Sequence, residues 1–182
     1  MLKFFLLALA ATTFFSFARA QSPSGLRKMN MRKLGGFVGV WNAKTIFHLR
    51  DGRTTTETGI YNVSWTLDSC YQQWNLELQN DSTNRKRSML ILVTFNPDSS
   101  RYEVNYFYAS SAMKVFEIGK VNSDNEFLTT AFVPLEDGKH DENVRTITKL
   151  ITADKIQYLH FSRFDYEKEE RKDFEANLTR MN

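Results

Sequence analysis

From position 37 onward the chain is written in short runs of alternating apolar and polar residues, and no internal stretch keeps a helical period long enough to compete. This period of two confines the chain to sheet. Strands are predicted at 37–49, 54–67, 71–79, 88–95, 102–108, 114–121, 127–133, 144–151, 155–164 and 173–180. Turn chemistry separates them: Asp51-Gly52, Asn122-Ser123-Asp124-Asn125, Ala153-Asp154, and a longer acidic loop at 136–142. Many short strands at this spacing point to an all-β antiparallel sandwich or barrel. The charged stretch 167–172 is compatible with a helical turn. The alternation of Phe174, Ala176 and Leu178 with Glu175, Asn177 and Thr179 favours a closing strand instead.

Two hairpins can be tested by register. A two-residue loop at Ser69-Cys70 sets Trp65 opposite Trp74, Val63 opposite Leu76 and Tyr61 opposite Leu78, with a wholly polar reverse face. The tryptophan pair is then expected to add roughly 0.5 to 1.5 kcal/mol beyond its burial. In the second hairpin, Asn96-Pro97-Asp98-Ser99-Ser100-Arg101 is a strong turn signal, because proline presets the backbone and the short polar side chains bond back to it. A loop at 97–100 sets Phe95 opposite Tyr102, Val93 opposite Val104, Ile91 opposite Tyr106 and Met89 opposite Tyr108. The reverse face carries Leu90 opposite Phe107, so this hairpin is apolar on both sides. It needs a cover from the segment at 26–34, or a second molecule, which leaves a homodimer or protein partner open.

The 182 residues suit one domain of ordinary size. With 42% hydrophobic, 14% aromatic and 25% charged residues, a disordered tail, a collagen and a coiled coil are excluded. The single cysteine excludes an internal disulfide and any cysteine-cluster metal site. Lys3, an apolar run from Phe4 and the small-x-small site Ala18-Arg19-Ala20 predict a secretory signal peptide over 1–20. Thr12, Thr13, Ser16 and Arg19 break the run before it reaches the length of a membrane span, so no span is expected after cleavage and the protein is expected to be secreted or periplasmic. Removing Lys3 and Arg19 lowers the net charge from +3 to about +1. A near-neutral domain is a poor nucleic-acid binder. Arg27, Lys28, Arg32 and Lys33 read as the solvated face of a short basic lead-in helix at 21–36, and Leu26, Met29 and Leu34 as the face that closes one end of the 37–182 barrel.

Gly39-Val40-Trp41 opens the first strand, Trp65-Thr66-Leu67-Asp68 marks one turn and Phe95-Asn96-Pro97-Asp98 another. With these the chain resembles the calycin superfamily of lipocalins, fatty-acid-binding proteins and nitrobindin-like haem domains, and more nearly the exported bacterial barrels of unknown function that share all three motifs. The resemblance implies a single antiparallel calycin-like barrel of eight to ten strands. It also implies a structural role for Gly39 and Trp41, with the tryptophan sealing the closed end against an arginine from a late strand, Arg180 or Arg163. Ala43 stands where the nitrobindin pattern has a second glycine, and the last strand carries no histidine, which departs from haem binding.

A barrel of this size is either filled by its own side chains or holds one small ligand. The inward residues expected to line such a cavity are Tyr61, Trp65, Trp74, Ile91, Tyr106, Tyr108 and Tyr158, with His160 as a polar contact. No cofactor and no metal are expected. His140-Asp141-Glu142 lacks the spacing of a zinc motif, and there is no nucleophile elbow, phosphate-binding glycine loop or dinucleotide fingerprint. Cys70 lies beside Asp68, which disfavours a thiolate. The carboxylates are expected in turns or on outward positions. The sequence thus leans to a non-catalytic exported barrel binding a small apolar or amphipathic molecule. A filled structural or interaction domain is the alternative, with a haem-binding or hydrolytic enzyme third.

Overall fold

The structure is a computed structural model that describes residues 22–110, 114–122, 125–134 and 141–181. The signal peptide expected at 1–20 and His140 lie outside the described residues. The lead-in helix is α1 (Pro23–Met31), which begins where Ser22 Oγ accepts the amide of Gly25 at 3.2 Å and Pro23 occupies the first turn. A 3-10 segment (Arg32–Phe37) continues it, so the first strand starts two residues later than the alternation suggests.

Ten strands follow: β1 (Gly39–His48), β2 (Thr54–Thr66), β3 (Tyr71–Asn80), β4 (Lys86–Asn96), β5 (Arg101–Tyr108), β6 (Lys114–Val121), β7 (Glu126–Pro134), β8 (Asp141–Thr152), β9 (Lys155–Phe164) and β10 (Arg171–Arg180). Each pairs antiparallel with the next, and β10 pairs with β1, from Trp41 opposite Arg180 to Phe47 opposite Phe174. The result is a closed antiparallel barrel of calycin-like build. Closure leaves no unpaired edge. Alternate residues converge inside, among them Trp41, Val63, Leu76, Ile91, Val104, Ile156 and Leu178, all buried.

The hairpin of β4 and β5 has the predicted register, and Asn96 Oδ1 holds its turn by accepting the amides of Asp98 at 3.0 Å and Ser99 at 3.4 Å. The hairpin of β2 and β3 differs. Its loop has four residues, because Leu67, Asp68 and Ser69 all take left-handed φ values of 49°, 55° and 61° and wind more chain into the turn than a two-residue loop allows. Trp65 therefore opposes Gln72, Val63 opposes Trp74 and Tyr61 opposes Leu76. A shift of two residues preserves the inward and outward faces. It abolishes the tryptophan pair, and the Trp74 ring instead lies 5.8 Å from that of Phe37.

The helical segment plugs one end of the barrel. Met31, Leu34 and Phe37 enter the core, each contributing on the order of 1.5 to 3 kcal/mol of burial. Side chains of the barrel bond to the plug's backbone and the reverse: Tyr102 Oη donates to the Asn30 carbonyl at 2.8 Å, Gln72 Nε2 to the Leu34 carbonyl at 2.9 Å, and Arg27 Nε to the Phe95 carbonyl at 3.0 Å. These bonds seat the segment across the end of the barrel. No helix among the described residues is long and apolar enough to cross a membrane.

Candidate ligand-binding site

The end of the barrel opposite the plug is called the mouth; among the described residues no helix packs there. Phe47 at the end of β1, Met89 on β4, Tyr108 on β5, Val115 on β6, His160 on β9 and Phe174 on β10 are only half-buried there. Phe174 is their hub. Its ring lies 5.2 Å from that of Phe47, stacks on Tyr158 at 5.6 Å and on His160 at 4.6 Å. Such stacking holds the aromatic faces at fixed angles.

Beneath this rim lies Glu117 on β6, 2% exposed. Its Oε2 accepts the hydroxyl of Tyr106 at 3.0 Å and that of Thr129, while its Oε1 accepts Thr146 Oγ1 at 3.4 Å. Tyr158 Oη is 3.4 Å from Tyr106 Oη, and His160 Nδ1 is 3.1 Å from Thr146 Oγ1. A Thr146 that donates to Glu117 accepts from a neutral His160 protonated on Nδ1. On its other side, His160 Nε2 is 3.8 Å from Asp173 Oδ2, so polar groups run from the mouth to the barrel's centre.

Burial governs how these groups titrate. It raises the Glu117 carboxyl against the opposing effect of the Thr129, Tyr106 and Thr146 hydroxyls. It pushes Tyr106 and Tyr158 far above the ordinary phenol range and Tyr61 up to about 12. It lowers His160, with Asp173 pulling the other way. Burial thus works against the charged form of each of these groups.

A second carboxylate, Glu57 on β2, is also inside, 4% exposed and opposite the buried Thr45. Its Oε1 accepts Arg87 Nη2 at 3.1 Å, and the Arg87 guanidinium also lies 4.9 Å from the Phe47 ring centroid. Glu57 Oε2 has no hydrogen-bond partner among the described residues. Deeper in the barrel, Trp74, Ile91, Tyr106, Thr129, Thr146 and Tyr158 surround a space of about 20 Å³. That is the scale of a single water molecule.

Of the residues expected to line a cavity, Tyr61, Trp74, Ile91, Tyr106 and Tyr158 are buried inside the barrel, and Tyr108 and His160 stand at the mouth. Trp65 parts from the rest. It is half-buried at the plugged end, beside Lys28, Arg32, Gly35 and Asp68. Trp41 is sealed in the core with its indole N–H donated to the Phe37 carbonyl at 2.9 Å, and its ring faces the Arg180 guanidinium. Arg163 is on the outward face of β9 at the other end, its neighbours Ser162 and Phe164 being the buried pair.

The expectation that carboxylates point outward fails at Glu57 and Glu117. β6 has apolar residues on both faces, with Phe116 and Ile118 outside and Val115 and Val121 inside, so its alternation gave no direction to Glu117. For Glu57 the parity with Tyr61 on the same strand was the usable signal. Phe174 was legible as inward but not as the hub. No group of three or more His, Cys, Asp or Glu among the described residues is placed to hold a metal ion.

The model of a family described as "Protein of unknown function (DUF1579)" matches residues 28–180. Among curated proteins no relative matches the sequence. Among solved structures, the barrel is similar to the S-type phycobiliprotein lyase CPES from Guillardia theta, with 12% identity and a TM-score of 0.58 over 86% of this chain and 97% of that one. It is also similar to EF1p2_mFAP2b bound to DFHBI, with 11% identity and a TM-score of 0.45 over 84% of this chain and 99% of that one.

Proposed function

The chain belongs to the DUF1579 family, and we propose that it binds a small amphipathic molecule at the barrel mouth, without catalysing a reaction on it. One observation carries the reading. At the end opposite the plug, half-buried aromatic side chains stand above a cluster of hydroxyl and carboxyl groups that converge on Glu117. Apolar walls with a few convergent polar groups and shifted titration are the features of small-molecule sites. Tyr108, Phe174 and Met89 would meet the apolar body of the ligand, and the Glu117 cluster its polar end. With the leader expected at 1–20, the site would work outside the cytoplasm.

The test is native mass spectrometry of the protein purified from its own host, followed by melting curves against lipid and metabolite panels. A co-purifying mass is expected, and re-adding that compound at a hundredfold excess over its Kd should add about 2.7 kcal/mol of stability. An apo mass and flat melting curves would sink the reading.

The 20 Å³ interior favours a second reading, a filled barrel that serves as an interaction domain. Its contact wall would be the outer face of β5 to β7, where Phe116 and Phe132 are exposed beside Ile118 and the half-buried Phe107. Concentration-dependent dimerisation seen by sedimentation, lost in Phe132→Ser, would support it over the first.

A further inference from the structure

We infer that the molecule bound at the mouth is a primary amine, its ammonium head seated beside Glu117 and its apolar body against the aromatic rim; this rests on the small-molecule reading above. Three features of the interior point to that head group. The first is charge. Among the described residues two carboxyl groups, Glu117 and Glu57, are buried inside the barrel, and the one cation bonded to either is Arg87, already donating to Glu57 Oε1 and itself half-exposed. A carboxylate-headed amphiphile would add a third acid to this interior. An ammonium supplies the charge that Glu117 lacks.

The second feature is hydrogen-bonding capacity. Among the described residues, every bond that Glu117 receives comes from a neutral hydroxyl, of Tyr106, Thr129 or Thr146. Each of those oxygens keeps lone pairs, and Glu57 Oε2 is a buried acceptor with no donor among the described residues. Acceptors therefore outnumber donors. A primary ammonium carries three donors and no acceptor, the complement of such a site, and buried acceptors without donors are costly.

The third feature is size. Tyr106, Thr129 and Thr146, which bond Glu117, also line a space of about 20 Å³ whose other walls are mostly apolar, among them Trp74, Ile91 and Phe127, so the room beside the Glu117 cluster suits a single small head group.

The experiment is isothermal titration of the purified protein at pH 7 with hexylamine, hexanol and hexanoate, which share a chain and differ in head group. Hexylamine should bind at least about tenfold more tightly than hexanol, with hexanoate weakest, since a hydrogen-bonded charge in a buried site outweighs a neutral bond. Glu117→Gln should abolish the preference for hexylamine over hexanol, both measured on that variant. If that variant fails to fold, Thr129→Val should narrow the gap between amine and alcohol by the same logic. Equal binding of hexylamine and hexanol would overturn the amine assignment and leave the small-molecule reading standing. A hexylamine affinity untouched in Glu117→Gln would overturn the seat. If none of the three binds, the amine assignment fails as well, and a co-purified non-amine mass would show that the small-molecule reading outlives it.

Discussion

The guanidinium of Arg180 lies 4.1 Å from the centroid of the Trp41 ring, and the two residues face each other across the register of β1 and β10. The same guanidinium donates to the carbonyls of Val38 at 2.9 Å and Gly36 at 3.3 Å, and through Nε to that of Ala153 at 2.9 Å. It thus joins the end of the plug to the turn between β8 and β9. Gly39 makes this possible: its φ of 146° is closed to most side chains, and a Cβ there would collide with Arg180 Nη1.

Removing the guanidinium should therefore cost more than a surface arginine. Arg180→Ala is expected to destabilise by about 2 kcal/mol, from a lost cation–π contact and lost carbonyl bonds, and Arg180→Lys should recover less than half because it lacks the planar fork. Gly39→Ala should cost about 2 kcal/mol or more through the strained backbone and the collision. Urea unfolding of the three variants checks the ordering. An Arg180→Ala midpoint indistinguishable from wild type would refute it.

How far the sequence reveals this architecture depends on what each residue signals locally. The period of two located the strands, and β6 and β9 run over the very residues expected. Pro97 and the polar residues around it encoded the second hairpin's loop length, so its register was readable. The first hairpin's loop was not, because three consecutive non-glycine residues in the left-handed region are a rare backbone choice that Leu67, Asp68 and Ser69 do not announce. Gly-x-Trp and a late arginine identified the closed end. Glu117 escaped notice because β6 is apolar on both faces, and only the pairing of β6 with β7 and of β7 with β8 brings Thr129 and Thr146 beside it.

That unusual turn yields a stabilising substitution. Leu67 is 69% exposed and holds a φ of 49°, so its side chain gains little from packing while its backbone is disfavoured. Leu67→Gly should raise stability by about 0.5 to 1 kcal/mol, the left-handed penalty outweighing the extra chain entropy of glycine. Asp68 has a similar φ, but its carboxylate pairs with Lys28 of α1, so Asp68→Gly should gain less. Thermal melts of both variants test this, and a lower Tm for Leu67→Gly would show that the side chain matters to the turn.

Two interior groups should shape the dependence of stability on pH in opposite senses. Glu117 has its pKa raised by burial, so the folded state holds a proton that the unfolded chain releases above the ordinary value of 4.5; its contribution is complete below that pH and is lost as pH rises through the raised folded value. His160 has its pKa lowered by burial from 6.5, so its contribution is present above that pH and is lost as pH falls through the depressed value. Glu117→Gln should flatten the decline on the alkaline side of 4.5, and His160→Gln the decline on the acid side of 6.5. Unfolding free energies measured from pH 4 to 8 in steps of about half a unit would show it. A Glu117→Gln profile parallel to wild type would mean that the carboxyl is not desolvated.

Gln72 offers a way to loosen the plug without touching the mouth. Its side chain is fully buried, donates to the Leu34 carbonyl and accepts the indole N–H of Trp74 at 2.8 Å, so one amide satisfies two groups that water cannot reach. Gln72→Leu keeps the volume and strands both, at an expected cost of about 2 to 4 kcal/mol. Gln72→Glu keeps the acceptor for Trp74 but offers no donor to Leu34, and adds a buried charge. It should be at least as damaging at neutral pH and should recover at low pH, when the carboxyl is protonated and can donate again. The plug's own chemistry gives a local readout, because Arg27, Lys28, Arg32 and Lys33 are four cleavage points for trypsin on the segment that Gln72 pins. Cleavage there should accelerate in Gln72→Leu under conditions where the barrel remains folded by near-ultraviolet circular dichroism. Equal rates of cleavage in wild type and variant would mean that the burial of Met31, Leu34 and Phe37 and the Tyr102 and Arg27 bonds hold the plug without Gln72.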